Sequence, residues 1–236
     1  MKEPIRLSKR VIELFGCSRR EADAYIEGGW ISVNGKVIEA PQHKVTDETI
    51  ERHPEASIES AQVVSLLLNA PARANHDQLI QNLTPDTHWS EDPHSMRILY
   101  GHFKRQEQSL PLQYGASGLV VLSQDWRAQR KLREDGAKLE QEYVLEVSGE
   151  LSDSIFERLK KGLLHKGRSF APCKASWQSE QRLRLVVKNP ADNFIVDLCR
   201  ALNLELKSFK RIRIGGVPMS KLPAGQWRYL GAKERF

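Results

Sequence analysis

The first fifty residues carry apolar positions at helical spacing and then at strand spacing. Apolar side chains from Leu7 to Phe15 recur every three or four residues, and Gly16 follows as a typical C-terminal cap. Ser18 and Glu21 have the spacing of a capping box, which begins a second helix. Asn34-Gly35 is a strong hairpin-turn signal with an alternating segment on each side. The sequence therefore predicts a helix, a short loop, a second helix and a hairpin.

The pattern changes after residue 50. Residues 51–61 are polar, contain Pro54 and show no periodicity, so we predict a linker between a domain at 1–50 and a domain at 62–236. The second domain interleaves strand and helix patterns, and its strands are joined by hairpins as often as by helices. We predict an α+β fold, in which a small helix-helix-hairpin domain precedes a mixed, mainly antiparallel sheet with flanking helices.

Composition narrows the functional classes. The mean hydropathy is −0.50, and no stretch approaches the ~20 apolar residues that a membrane helix needs. The first residues have no apolar run behind their positive charge, so we expect no secretory signal. The three cysteines, Cys17, Cys173 and Cys199, are far apart and form no Cys-x-x-Cys pair, which disfavours disulfides and structural zinc. We expect a cytoplasmic monomer with no cofactor, no metal and no membrane partner.

Charge points to a polyanion as partner. The net charge is +6, and neutralising phosphates with such a surface releases counterions. Two arginines fall in the first turn of the second predicted helix, where a bound phosphate would meet both guanidinium groups and free backbone N–H groups. A solvated basic face without a partner is the alternative. The candidate phosphate-binding residues of the first domain are Arg6, Lys9, Arg10, Arg19, Arg20 and Lys36.

Four segments of this first domain carry a family resemblance. In order and spacing, residues 6–9, 17–22, 26–29 and 33–36 resemble the small RNA-binding domain first described in ribosomal protein S-four. That domain lays its helix pair against structured RNA, which is recognised through shape and phosphate contacts. The resemblance implies that the six basic residues above contact RNA.

The rest of the chain is similar to the RsuA-type family of ribosomal RNA pseudouridine synthases. The segments that carry the likeness are 66–71, 117–123, 142–149, 210–215 and 222–230. The resemblance implies a pseudouridine synthase fold and ribosomal RNA as partner. It also places Lys210, Arg211 and Arg213 on the last long strand, as further RNA-contacting candidates.

The catalytic position departs from this family. The family carries Gly-Arg-Leu-Asp before the strand at 117, and the aspartate is the catalytic group; the matching residues here end in Gln113. An amide is neither the nucleophile nor the base that the isomerisation needs. No acidic residue lies between Ser109 and Gln124; Asp125 and Glu107 are the nearest. The family's Arg-Gln-Ile-Arg-Arg segment is also replaced, by residues 193–197, of which only Ile195 is kept.

Tyr143 is retained where the family's tyrosine packs on the target base, although a tyrosine in an alternating strand could equally belong to the core. Three functions remain open. The first is a catalytically silent member of the family that binds structured RNA. The second is an active pseudouridine synthase that uses a substitute acid. The third is a protein-interaction module.

Overall fold

The computed structural model describes residues 3–58, 63–94, 96–149 and 153–236. The chain divides into two compact units. Unit 1 contains the residues up to Val63 together with Met96–Arg105, and unit 2 contains Val64–Ser95 and Gln106–Phe236. Residues 59–61 of the predicted linker and residue 62, the predicted start of the second domain, lie outside the described residues. The domain boundaries that the sequence indicated therefore stay predictions.

After a two-residue strand, unit 1 has two short helices and then small strands, and the helices and the hairpin follow in the order that the sequence predicts. Its elements are β1 (Ile5–Arg6), α1 (Leu7–Phe15), α2 (Arg19–Glu27), β2 (Ile31–Val33), β3 (Lys36–Val37), β4 (Lys44–Val45) and β5 (Ile50–Arg52). The strands pair as β1 with β4 and as a sheet in the order β3-β2-β5. Residues 51 and 52, at the start of the predicted linker, thus belong to a strand.

The apolar faces of both helices and of β2 meet in one small core. Its buried members are Leu7, Val11, Ala22, Ile26, Ile31, Val33 and Val45. Gly16 ends α1 in the left-handed conformation, with φ of 63° and a hydrogen bond from its N–H to the Ile12 carbonyl, as expected for a glycine cap. The packing of this core holds the two helix surfaces that carry the basic residues.

Unit 1 also contains a segment that the sequence pattern did not reveal. Met96–Arg105 clusters with unit 1 although its neighbours on both sides in the sequence belong to unit 2. It contains a 3-10 turn at Tyr100–Phe103, and the side chains of Leu99 and His102 are buried. We call this segment the strap.

Unit 2 is built on one large sheet. Its strands are β6 (Ser65–Ala70), β7 (Ser117–Ser123), β8 (Glu140–Ser148), β9 (Leu163–His165), β10 (Arg168–Phe170), β11 (Lys174–Ser179), β12 (Arg182–Lys188), β13 (Glu205–Ile214), β14 (Val217–Pro218) and β15 (Trp227–Tyr229). Its helices are α3 (His76–Gln81), α4 (Trp126–Glu134), α5 (Asp153–Lys161) and α6 (Phe194–Ala201), with a further 3-10 turn at Pro85–Thr87.

The sheet order is β11-β12-β8-β13-β7-β6-β15, with β14 paired to β13. The β13–β7 pair is parallel and the other pairs are antiparallel. The predicted α+β class with a mixed, mainly antiparallel sheet is therefore confirmed. Gly118 has φ of 103° where β7 meets β13, and a Cβ there would overlap the backbone of Arg211. Glycine is needed at this crossing because no other residue tolerates both the conformation and the close approach.

Among the described residues of unit 2, two apolar clusters pack against the sheet, and further buried side chains such as Leu66, Leu68 and Trp227 lie outside both. One lies between the β8–β12–β13 region and helices α5 and α6, with Tyr143, Leu145, Leu185, Ile195 and Phe209 among its members. The other packs β7, the end of β13 and α4 together. Within the described residues, no helix has the length and apolar character needed to cross a bilayer.

Candidate functional site

The start of α2 is held in place by its own capping residues. Ser18 Oγ accepts from the Glu21 N–H at 3.3 Å, and the Glu21 carboxylate accepts from the Ser18 N–H at 2.7 Å. The hydrogen bond from the Ser18 N–H, and after it one from the Ser18 hydroxyl, lowers the pKa of the Glu21 carboxyl. The predicted capping box is confirmed, and it makes Arg19 and Arg20 the first two residues of the helix, both exposed.

Pairing of β1 with β4 completes a basic groove beside this helix start. Arg6 lies opposite Lys44 in the ladder. A groove in unit 1 is lined by Arg6, Lys9, Arg19 and Lys44, with apolar carbon from Ile12 between them. Four cations around one concave surface are suited to phosphate groups, because each phosphate can take a charge-assisted hydrogen bond. We call this surface the basic groove.

Most of the predicted basic residues of unit 1 have no protein partner. Arg10 pairs with Glu13 at 3.3 Å. Among the described residues, no side-chain hydrogen bond or ion pair is made by Arg6, Lys9, Arg19, Arg20 or Lys36. Lys36 is exposed on the hairpin strand β3 and is not among the residues that line the basic groove. The charge of this surface is therefore available to a ligand.

Arg211 of unit 2 is a different case. Its side chain is 0% exposed. Its guanidinium donates to the backbone carbonyls of Leu119, Pro111 and Leu110 and to Gln141 Oε1, at 2.9 to 3.0 Å. Burial lowers the pKa of this arginine. The expectation that Arg211 contacts RNA is wrong for this structure, because its donors are used inside the protein and no surface of it reaches solvent.

The two other residues of β13 that were predicted to contact RNA, Lys210 and Arg213, are also only partly exposed to solvent. Arg213 donates to the Glu142 carboxylate at 2.6 Å and to the Gly215 carbonyl at 2.6 Å. Lys210 is half-buried next to Gly118, and burial lowers its pKa. The structure does not bring Lys210, Arg211 and Arg213 together as one exposed basic strip.

Gln113, which the sequence resemblance predicts at the family's catalytic position, is 8% exposed and has two backbone partners. Its Nε2 donates to the Ala191 carbonyl at 2.8 Å, and its Oε1 accepts from the Ile195 N–H at 3.4 Å. A neutral amide donates and accepts at the same time, whereas an ionised carboxylate at this position could only accept. Gln113 therefore ties the loop before β7 to the first turn of α6.

Tyr143 belongs to the core. The residue is 0% exposed, its hydroxyl donates to Gln141 Oε1 at 3.0 Å, and its ring lies 6.4 Å from that of Phe209. Burial raises the pKa of this phenol, although Arg211 opposes the effect. Of the two interpretations left open for Tyr143, the core position fits this geometry.

The acids nearest to Gln113 in sequence have structural partners elsewhere. Asp125 caps α4 by accepting from the Arg127 N–H at 2.9 Å. Glu107 pairs with Arg133, and its backbone bonds to Ser123 at the far end of β7. Seven residues of strand, about 23 Å at the usual rise, separate that end of β7 from the Gln113 end. Both acids are therefore held near the far end of β7 from Gln113.

Residues 193–197 keep a helix start but not the family's arginines. Asn193 precedes α6 with φ of 60°, and Asp197 is paired with Arg168 and Arg200. Ile195 is buried in the core. Within the described residues, no group of three or more histidine, cysteine or acidic side chains is arranged to hold a metal ion.

Known proteins share sequence and fold with this chain. The S4 domain family matches residues 5–50. This chain is 28% identical to the dual-specificity RNA pseudouridine synthase RluF of Escherichia coli O6:H1, and the match covers 96% of this chain and 75% of that protein. It is 24% identical to the ribosomal large subunit pseudouridine synthase B of Bacillus subtilis, covering 97% of this chain and 93% of that protein. A crystal structure of a pseudouridylate synthase superposes with a TM-score of 0.59 at 18% identity, covering 96% of both chains.

Proposed function

This chain carries an S4 domain and is homologous to RNA pseudouridine synthases of the RluF and RsuA type, and from that premise we propose that it is an RNA-binding protein whose isomerisation site is silent. The partner is structured ribosomal RNA, bound through the basic groove by a monomer in the cytoplasm. The observation that carries the proposal is the position of Gln113, buried and bonded through both amide atoms to the backbone before and at the start of α6.

The chemistry explains why this amide matters. Conversion of uridine to pseudouridine breaks the glycosidic bond, turns the base and joins it again through carbon 5. An anionic carboxylate is needed as nucleophile or as the base that moves a proton. A neutral amide does neither, and losing such a group costs several factors of ten, at about 1.4 kcal/mol each.

Binding does not need that carboxylate. Exposed cations without internal partners keep their full charge for phosphates. Among the described residues of unit 1, such cations line or adjoin the groove, namely Arg6, Lys9, Arg19, Arg20 and Lys44. Arg19 and Arg20 lie at the start of α2, where free backbone N–H groups of the helix can bind the same phosphate. The two halves of the proposal therefore rest on separate surfaces and can be tested separately.

The test measures isomerisation and binding on the same preparation. Ribosomal RNA transcripts with tritium on carbon 5 of uridine are incubated with this protein and, as positive control, with a catalytically active relative. We expect no tritium release from this protein beyond background, together with binding of the same transcript in a filter assay. Release at a rate comparable to the relative would overturn the silent site and favour the use of a substitute acid.

The binding half has its own variant. Arg19→Glu with Arg20→Glu is expected to weaken binding at least tenfold and to reduce the slope of log K against log salt by about two, one for each lost phosphate contact. Both residues are exposed without partners, so the fold should be unchanged. Binding by the variant equal to that of the native protein would contradict the proposed groove. A complex that survives nuclease treatment would indicate a protein partner instead.

A further inference from the structure

The strap is fastened to unit 1 at two places. The Arg97 guanidinium donates to the Gly29 carbonyl and lies 4.9 Å from the centre of the Trp30 ring. The Tyr100 N–H donates to the Glu39 carboxylate at 2.6 Å. A Cβ at Gly29 would come within 3.1 Å of Leu99, so the glycine permits this close approach. The strap is therefore a built part of unit 1 and not a loop that merely passes over it.

The inner side of the strap is buried. Leu99 and His102 are almost inaccessible to solvent, and burial lowers the pKa of His102. Burial also raises the pKa of Glu39, against the N–H groups of Tyr100 and Gly101, which lower it. These contacts hold the turn at Tyr100–Phe103 in one orientation.

The outer side presents an aromatic ring beside a cation. Tyr100 is 63% exposed although its backbone is anchored. The Lys104 ammonium lies 4.8 Å from the centre of its ring. Met96 and Arg105 are exposed on the same segment. The strap anchors the backbone of Tyr100 while most of its surface reaches solvent beside a cation, so the ring is accessible to a ligand.

We propose that Tyr100 and Lys104 form a second RNA contact of unit 1, which takes an unpaired nucleotide. The Tyr100 ring would stack on the base, and Lys104 would face its phosphate. Aromatic stacking with a neighbouring cation is the usual way in which proteins hold unpaired bases. This inference rests on the proposed RNA-binding function and adds to it a preference for RNA with unpaired nucleotides, which the phosphate contacts of the basic groove do not supply.

Unit 2 offers a matched control. Trp126 is 60% exposed, and the Arg127 guanidinium lies 5.7 Å from its ring. The other cations of that helix are paired with carboxylates, as Arg130 with Glu134, Lys131 with Asp135 and Arg133 with Glu107. The surface around Trp126 therefore has little free positive charge. The pair is similar in chemistry to Tyr100 and Lys104 but lacks a charged setting for RNA.

The experiment compares two RNA probes on the full chain. One is a fluorescent hairpin with a loop of unpaired uridines, and the other is a blunt duplex with the same stem sequence. Four variants are measured beside the native protein: Tyr100→Leu, Tyr100→Phe, Trp126→Leu, and Arg19→Glu combined with Arg20→Glu. Leucine keeps apolar bulk and removes the ring, whereas phenylalanine keeps the ring. Thermal unfolding of each variant verifies that the fold is kept.

We expect Tyr100→Leu to weaken binding of the looped hairpin about tenfold, as for the loss of one stacked base, and to leave duplex binding unchanged. Tyr100→Phe and Trp126→Leu should bind both probes like the native protein. Equal binding of the looped hairpin by Tyr100→Leu and the native protein would overturn the strap contact, and so would an equal loss from Trp126→Leu.

The arginine variant separates this inference from the proposed function. If the arginine variant loses affinity for both probes while Tyr100→Leu keeps its affinity for both, the RNA-binding proposal stands and the strap contact is contradicted. If the native protein binds neither probe and no ribosomal RNA transcript, the proposed function fails and the strap contact fails with it. Ultraviolet crosslinking to a hairpin with 4-thiouridine in the loop gives a second readout. A crosslink within Met96–Arg105 is expected, and crosslinks confined to other segments would overturn the inference.

Discussion

Unit 1 and the Gln113 region of unit 2 differ in where they place polar and charged side chains: unit 1 exposes them, and the Gln113 region buries them. In the basic groove, arginines and lysines are exposed and without internal partners. Around Gln113 and Tyr143, polar groups are buried and hydrogen-bonded to the protein itself. An exposed cation without a partner costs the fold little and keeps its charge for a ligand, whereas a buried one must satisfy every donor internally.

This difference shows that residue type alone does not identify a binding site. From the sequence, Arg19 and Arg211 are both predicted to contact RNA. In the structure, Arg19 is exposed and can reach a phosphate, whereas Arg211 is buried and cannot. The difference can be tested by asking where substitutions affect stability and where they affect only binding.

The largest effect is expected at Arg211. Arg211→Leu would remove the guanidinium donor of three buried backbone carbonyls and would leave Gln141 Oε1 with the Tyr143 hydroxyl in place of two donors. Stranding buried polar groups in this number should destabilise unit 2 by about 3–5 kcal/mol. Hydrogen exchange at the amides of β8 and β13 measures the loss in unit 2 itself.

Arg19→Leu is the control for this comparison. Its side chain is exposed and has no partner among the described residues. Stability should change by less than about 0.5 kcal/mol, while affinity for RNA falls. If Arg211→Leu proved equally mild, the contrast between the two units would not hold.

A smaller effect is expected at Gln113. Gln113→Glu keeps the length of the side chain but turns the donor to Ala191 into a second negative oxygen. We expect a loss of about 1–3 kcal/mol at neutral pH from the missing hydrogen bond and the opposed carbonyl. No isomerisation should appear, because the new carboxylate would lie against the protein backbone. Urea unfolding of unit 2 and tritium release measure the two outcomes.

The pH dependence of Gln113→Glu sharpens this prediction. A protonated carboxyl can donate to Ala191, so the folded state should bind this proton more tightly than the unfolded chain. The stability of the variant should be regained as the pH falls below the raised pKa and lost as the pH rises through it. A variant as stable as the native protein at neutral pH would show that the amide has no structural role.

The contrast between the units also explains what sequence could and could not predict. The capping box at Ser18 and the hairpin turn at Asn34 are local, so their residues determine them almost alone. The burial of Arg211 depends on carbonyls at Leu110 and Leu119, about a hundred residues away in the chain. No periodicity in β13 carries that information.

The register of β13 is a second reason why the sequence did not predict the burial of Arg211. Strict alternation would place Arg211 and Arg213 on one face of the sheet. A shift between them pairs Arg211 with Tyr143 but Arg213 with Glu142, residues on opposite faces. Irregularities of this kind leave no clear mark in sequence. The resemblance predicts, in contrast, that Gln113 stands at the family's catalytic position, but it could not predict the backbone partners of that amide.

The smallest predicted effect concerns two carboxylates whose pKa values move in opposite directions. In unit 2, burial would raise the pKa of Glu142, but hydrogen bonds from Arg184 and Arg213 outweigh it and hold the pKa below its ordinary value. In unit 1, burial raises the pKa of Glu39 despite the N–H groups that it accepts. Glu142 therefore contributes stability at neutral pH that is lost as the pH falls through its folded pKa. Glu39 contributes stability at low pH that is lost as the pH rises through its folded pKa.

Isosteric variants separate the two contributions. Glu142→Gln should weaken unit 2 by about 1 kcal/mol at neutral pH, because the amide oxygen still accepts from one of the two arginines, and both arginines reach solvent. The difference from the native protein should vanish in acid. Glu39→Gln should remove the loss of unit 1 stability on raising the pH. Hydrogen exchange at the amides of β8 and of β2, followed across acid to neutral pH, reports each unit by itself. If both variants shifted stability in the same direction with pH, the two units would not differ in how they hold their charges.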